Sequence, residues 1–318
     1  MSTPASNPPP VRKPRAGPVV TVGLAVVDFV FTVPTLPTTP GKSFAQGYQS
    51  IVGGIAANAA RAIAALGAPA RLVTRLGADA HGQMAADVLM AGGVEITPDS
   101  QAAIPGTAVS AVCVDATGER MIVNHKQPAL FGPPVDATVA VKGARAVMAD
   151  LRWPDGAGAV LRAADGLPCL LDVDQAPEQG AAALLPLASH LIFGEQALME
   201  RFGAPTVADA LARAGAALPG ADMAVTQGGD GVRWRQADGT MGWVPAFKVP
   251  VVDTLGAGDV FHGAAALALA EGMSFTQALR FASAVAALKI GRSSLTGYFP
   301  AREDVDNLLE EAICPPQA

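Results

Sequence analysis

The chain has 318 residues, half of them hydrophobic and 16% charged, so it can bury a large core and is not a disordered polymer. Its net charge of −6 argues against a general nucleic-acid binder. It has no apolar run long enough for a membrane span, and its three scattered cysteines, Cys113, Cys169 and Cys314, form no C-x-x-C, so neither zinc nor a disulfide framework is suggested and a reducing cytoplasm fits.

Residues 1–18 are proline-rich, carry Arg12, Lys13 and Arg15 with no acid, and lack an apolar signal core. They read as a disordered tail. Residues 19–27 are one continuous apolar run, as in a strand buried on both faces. Helical and strand patterns then alternate: helix over 56–66, strand over 70–74, helix over 83–90, and strands over 144–149, 168–172, 190–193 and 223–226 with helices between. Alternation of this kind implies a mostly parallel sheet covered by helices on both faces. Residues 29–51 and 107–126 break the rhythm. Both read as strands without helices, the second as a hairpin about Ala116-Thr117-Gly118, and together they suggest a small β-sheet serving as lid or dimer contact. Trp234 and Trp243 flank another hairpin and read as cover for the sheet, while Met84, Met90 and Met148 read as core. After Gly256 the pattern is helical, over 257–270 and 275–288.

The most informative segment is Asp253-Thr254-Leu255-Gly256-Ala257-Gly258-Asp259. An apolar strand over 249–252 is expected to run into this turn, and the turn opens a helix. Helix N-termini leave backbone N–H groups unpaired, and glycine lets an anion approach them. Asp259 could then take a proton from an attacking hydroxyl while the amides of Gly256, Ala257 and Gly258 hold a phosphoryl group. The plainer alternative is a first-turn acid that serves only the helix dipole. Other glycine codes fit worse: Phe261 stands where a dinucleotide fingerprint needs glycine, and Leu36 where a Walker A loop before Gly41-Lys42-Ser43 would begin. A second candidate is Gly53-Gly54 with Asn58, where glycines open a helix and an amide that could bind sugar hydroxyls lies in its first turns.

These motifs, with Gly77-x-Asp79-x-x-Gly82, resemble the PfkB (ribokinase-like) carbohydrate kinase family over residues 19–313. The resemblance implies a three-layer α/β fold with a mostly parallel sheet and a β-sheet lid, with a short tail over 314–318. It implies ATP and Mg²⁺ as co-substrates, a sugar as acceptor and a homodimer formed through the lid. Carried over by position, Asp259 is the general base, and Gly256, Ala257 and Gly258 are the anion hole. Asp28, Gly54 and Asn58 would hold sugar hydroxyls. Thr226, Gly228, Gly231 and Thr254 would lie against the nucleotide, and Ala286 and Lys289 would flank the adenine. The family's N-x-x-E element, which organises Mg²⁺, is replaced by Gly194-Glu195-Gln196-Ala197. No metal ligand is assigned.

That departure resembles the ketohexokinase and sulfofructose kinase branches. Lys42, Asn124 and Arg152, with Arg120 beside them, match the pattern of 6-deoxy-6-sulfofructose kinase, which implies an anionic ketose. Two cations and an amide can hold a tetrahedral anion; a phosphorylated ketose would suit them equally, and fructose would not need them. A solvated-surface role for Lys42 and Arg152 stays open. So do a nucleoside or vitamin-precursor kinase and, from another class, a catalytically silent sugar or nucleotide sensor. His262, beside the active turn, reads as a packing residue.

Overall fold

The computed structural model describes residues 17–97, 104–132, 136–175, 180–293 and 296–312. The basic residues 12–15 and Cys314 lie outside these ranges. Nine strands form the main sheet: β1 (Val19–Val22), β4 (Ala70–Val73), β5 (Val94–Ile96), β8 (Ala146–Ala149), β9 (Cys169–Val173), β10 (His190–Gly194), β11 (Asp222–Thr226), β12 (Val232–Arg235) and β13 (Met241–Val244). Their order across the sheet is β13-β12-β11-β10-β9-β8-β1-β4-β5. The strands from β5 to β11 are mutually parallel; β12 and β13 form an antiparallel edge hairpin. Every residue of β1, β8 and β9 is buried, which is why these segments read as unbroken apolar runs.

Two hydrophobic clusters cover the two faces of the sheet. One is built on α1 (Ile55–Ala65), α7 (Ala257–Ala270) and α8 (Phe275–Ile290), joined by α2 (Ala80–Ala91) and α9 (Arg302–Glu311). The other is built on α4 (Pro154–Ala163) and α6 (Val207–Ala217), joined by α3 (Ala137–Ala140) and α5 (Glu195–Phe202). Small residues bring α1 and α7 together: a Cβ on Gly263 would stand 2.6 Å from the Ala59 carbonyl oxygen. That close crossing is what joins Asn58 to Asp259. A capping box of Ser274 and Gln277 starts α8. No described helix is long and apolar enough to cross a membrane.

The second sheet is made of β2 (Val26–Thr32), β3 (Gly47–Gly53), β6 (Ala108–Val114) and β7 (Arg120–His125), in the order β3-β2-β6-β7. It occupies the stretches expected to form the lid. The chain reaches it by breaking the apolar run 19–27, which is two strands rather than one. The break falls at Gly23, where a Cβ would stand 2.0 Å from the Asp150 carboxylate. Asp28 therefore sits inside β2 of the second sheet and does not end the first strand. The strand expected over 249–252 is also absent: Pro250 has no N–H to give a ladder, Val251 and Val252 are exposed, and the Val252 and Asp253 amides donate to the Ile290 carbonyl at the end of α8. Met148 is buried, but Met90, on α2, is 54% exposed. Trp153 is fully buried and donates to the Gly132 carbonyl.

Candidate active site

Helix α7 opens at Ala257, after Gly256 in the left-handed region at φ +74°. Nothing lies within 4 Å of a Cβ built on Gly258, so the backbone of the turn can be approached. Asp259, in the first turn, accepts a hydrogen bond of 2.8 Å from Asn58 Nδ2 on α1. A Cβ built on Gly256 would stand 3.8 Å from Asn58 Nδ2, 3.8 Å from Asp259 Oδ2 and 3.9 Å from Lys289 Cε. Amide, carboxylate and ammonium-bearing side chain thus converge on one glycine.

Burial pushes the Asp259 carboxyl up to about 6, with Asp174 and Asp28 adding to the rise and the Asn58 bond and Arg152 opposing it. A carboxylate poised there is ionised at neutral pH and still basic enough to accept a proton. The rate should therefore rise with pH through a single ionisation near 6 and level off toward 7. A kcat/KM profile on the free enzyme checks this, and a flat profile from pH 5 to 8 would contradict it.

These groups line a cavity of about 720 Å³ above the C-terminal ends of the parallel strands, where α/β sheets commonly bind ligands. Asp150, after β8, is fully buried; it accepts from the Arg152 amide at 2.7 Å and the Ala56 amide at 3.3 Å, and burial raises it to about 6. Asp172, within β9, is raised by burial and then by its neighbours Asp174, Asp259 and Asp150. His262 Nδ1 lies 2.6 Å from the Gly258 carbonyl and donates to it. Its Nε2 is 3.3 Å from Asp172 Oδ1, and burial lowers the imidazole to about 4 while it raises the Asp172 carboxyl. Arg152 is ion-paired with Asp174, and its Nη1 is buried without a partner among the described residues.

The second sheet presents one cross-strand row to the cavity. Asp28 on β2 faces Ser110 on β6, which faces Asn124 on β7, and Ser110 Oγ donates to Asn124 Oδ1 at 2.7 Å. Burial raises the Asp28 carboxyl, and the neighbouring Ser110 hydroxyl opposes the rise.

The structure brings Asp28, Gly54, Asn58, Asn124, Arg152, Thr226, Gly256, Gly258, Asp259 and Lys289 to this cavity. Lys42 is exposed on the β2–β3 loop and does not line it. Arg120 does not line it either; its Nη2 donates to Asp253 at 3.0 Å, tying β7 to the start of the glycine turn. Thr254 is exposed, and Ala257 and Ala286 lie outside the lining. Gly228 and Gly231 form the turn after β11 at φ +54° and +90°, beside Thr226. Ser110, Arg61, Lys126, Asp172 and Asp174 also line the cavity, and no motif in the sequence singles them out. One signal could have found Asp172: a charge closing an apolar strand in a parallel sheet.

Where the Mg²⁺ element is altered, Glu195 accepts from Gln227 at 3.2 Å. No three acidic, histidine or cysteine side chains among the described residues are arranged to hold a metal ion.

Comparison with known proteins bears on the family and the fold. The family model for pfkB family carbohydrate kinases matches residues 17–141 and 156–302. Ribokinase of Arabidopsis thaliana is 30% identical over 328 residues, covering 96% of this chain and 85% of its own. A solved structure of Arabidopsis thaliana ribokinase complexed with ribose and ATP has a TM-score of 0.78 at 28% identity, covering 93% of this chain and 99% of that one. A candidate ribokinase from Agrobacterium tumefaciens gives a TM-score of 0.85 at 33% identity, over 94% of this chain and 99% of its own. Fructokinase-1 of Oryza sativa is 28% identical, covering 94% of this chain and 99% of its own. By its sequence, its fold and the turn that starts α7, the chain belongs to the pfkB family of carbohydrate kinases, phosphotransferases with an alcohol group as acceptor.

Proposed function

We propose that this kinase transfers the γ-phosphoryl group of ATP to a primary hydroxyl of a ketose-type sugar, with Asp259 as general base. The observation that carries the reading is the Asp259–Asn58 contact at the glycine turn. Asn58 orients the carboxylate, and the amides of Gly256, Ala257 and Gly258 offer partial positive charge where the transferred group gathers negative charge. Asp28, Ser110 and Asn124 offer the donors and acceptors that sugar hydroxyls require. Closure of the lid would exclude water, the competing acceptor. The Arabidopsis ribokinase that binds ribose and ATP supports the same kind of co-substrate pair here. Mg²⁺ would travel with the nucleotide phosphates.

One observation favours a sulfonate or phosphate on the sugar, as in 6-deoxy-6-sulfofructose. Arg152 lines the cavity together with Asn124 and Lys126, and its buried Nη1 has no hydrogen-bond partner among the described residues. Opposing it, Asp174 neutralises Arg152, and Lys42 stands outside the cavity. A coupled ADP-release assay with ribose, fructose, fructose 6-phosphate and 6-deoxy-6-sulfofructose decides the matter. For an anionic substrate, Arg152→Ala should raise KM by roughly 10- to 100-fold, since it removes a charge-assisted contact. Equal KM for neutral and anionic ketoses in the wild type would remove the anion pocket. A second copy docking on the exposed lid residues Met121 and Val123 belongs to the same proposal; a monomer by sedimentation would remove it.

A further inference from the structure

Lys289 is 4% exposed, near the end of α8. A buried ammonium is expensive unless something compensates it. A cation at a helix C-terminus is ordinary, but that role is met equally well by a lysine in solvent. This one is instead drawn beneath the glycine turn. Its Nζ donates to the Tyr298 carbonyl at 3.0 Å and lies 5.3 Å from the centroid of the Phe299 ring. Its Cε is 3.9 Å from the place of a Cβ on Gly256, the point on which Asn58 and Asp259 also converge.

The neighbouring cations are engaged elsewhere. Arg152 is paired with Asp174, and Arg61 donates to the Val52 carbonyl and lies over Phe299. Lys289 makes its hydrogen bond to a carbonyl and forms no ion pair among the described residues. Burial lowers its pKa, and the carboxylates of Asp253 and Asp259 work against that.

Phosphoryl transfer at this turn brings two negative groups together, the ionised base and the moving phosphoryl group. Backbone amides supply only partial charge against that repulsion. We propose that the Lys289 ammonium is the fixed cation of the anion hole, set beneath Gly256 to offset charge that builds on the phosphoryl group during transfer. The inference rests on reading the turn at 256–258 as the phosphoryl site.

The test is calorimetric binding of ADP alone and of ADP with aluminium fluoride, in magnesium buffer, to wild type, Lys289→Met and Lys289→Arg. Aluminium fluoride beside ADP mimics the phosphoryl group in flight. In the wild type it should tighten ADP binding. Lys289→Met should forfeit roughly 10- to 100-fold of that tightening. It should leave ADP alone within about twofold, since the lysine sits beneath Gly256 and not beside the adenine, where the family resemblance put it. Lys289→Arg should restore most of the gain. Equal weakening of both ligands, or an undiminished gain in Lys289→Met, would make the lysine a strut for residues 296–299 and overturn the inference. A wild type that gains nothing from aluminium fluoride would overturn the reading of the turn itself. If Lys289→Met does not fold, Lys289→Gln carries the same comparison, and the same two outcomes overturn the inference.

Discussion

Asp259→Asn is expected to lower kcat by roughly 10²- to 10⁴-fold while ATP still binds, because the substitution removes the proton acceptor and little else. The introduced amide oxygen can still accept from Asn58 Nδ2, so the start of α7 keeps its contact with α1. The same variant should be more stable than the wild type near neutrality. The sign follows from the raised pKa. The folded carboxyl titrates near 6 and the unfolded one near its ordinary value of 3.8, so the native state binds the proton more tightly between those values. Ionising Asp259 in the fold therefore costs free energy at pH 7, and that cost fades as pH falls through 6 toward 4. After allowance for its partial exposure, the gain on removing the charge should be about 1–2 kcal/mol. ADP release and thermal melts on one preparation check both halves. A variant that stays active would overturn the base assignment. A variant that is inactive and also less stable would mean the charge is structural.

Gly54→Ala should show the largest loss of stability among single-methyl changes around the site. Gly54 holds φ +101° and ψ +139°, which only glycine takes readily. A Cβ there would stand 2.3 Å from the Leu24 carbonyl oxygen and 3.2 Å from the Ala25 Cα. Those two residues are the crossing from β1 to β2, so neither side can yield without moving the second sheet or α1. A loss of about 3 kcal/mol or more is expected, with a fall in kcat as Asn58 shifts. Denaturant unfolding measures it; a midpoint equal to the wild type would show that the crossing is loose.

Much of this architecture is legible in the chain because its signals are local. The parallel strands are apolar runs between helical patterns, and the glycine turn with Asp259 is contiguous in sequence. What escapes a reading of the sequence depends on partners far apart. The run 19–27 looks like one strand because the Asp150 carboxylate that breaks it at Gly23 belongs to a distant part of the chain. Ser110 is a small polar residue in an apolar strand until pairing sets it between Asp28 and Asn124. Residues 249–252 look like a strand because of their valines, yet Val251 and Val252 face solvent, and the Ile290 carbonyl takes amides a sheet would have used. Asn58 and Asp259 are 201 residues apart, and neither motif alone carries a sign that they touch.

If a carboxylate and bare amides meet at the start of α7 to move a phosphoryl group onto a sugar hydroxyl, phosphorus NMR of the wild type incubated with ATP and each sugar of the panel observes that reaction directly. The expected result is a new phosphomonoester signal that grows in step with ADP and requires the sugar. ATP that stays intact with every sugar, or that yields only inorganic phosphate, would contradict it.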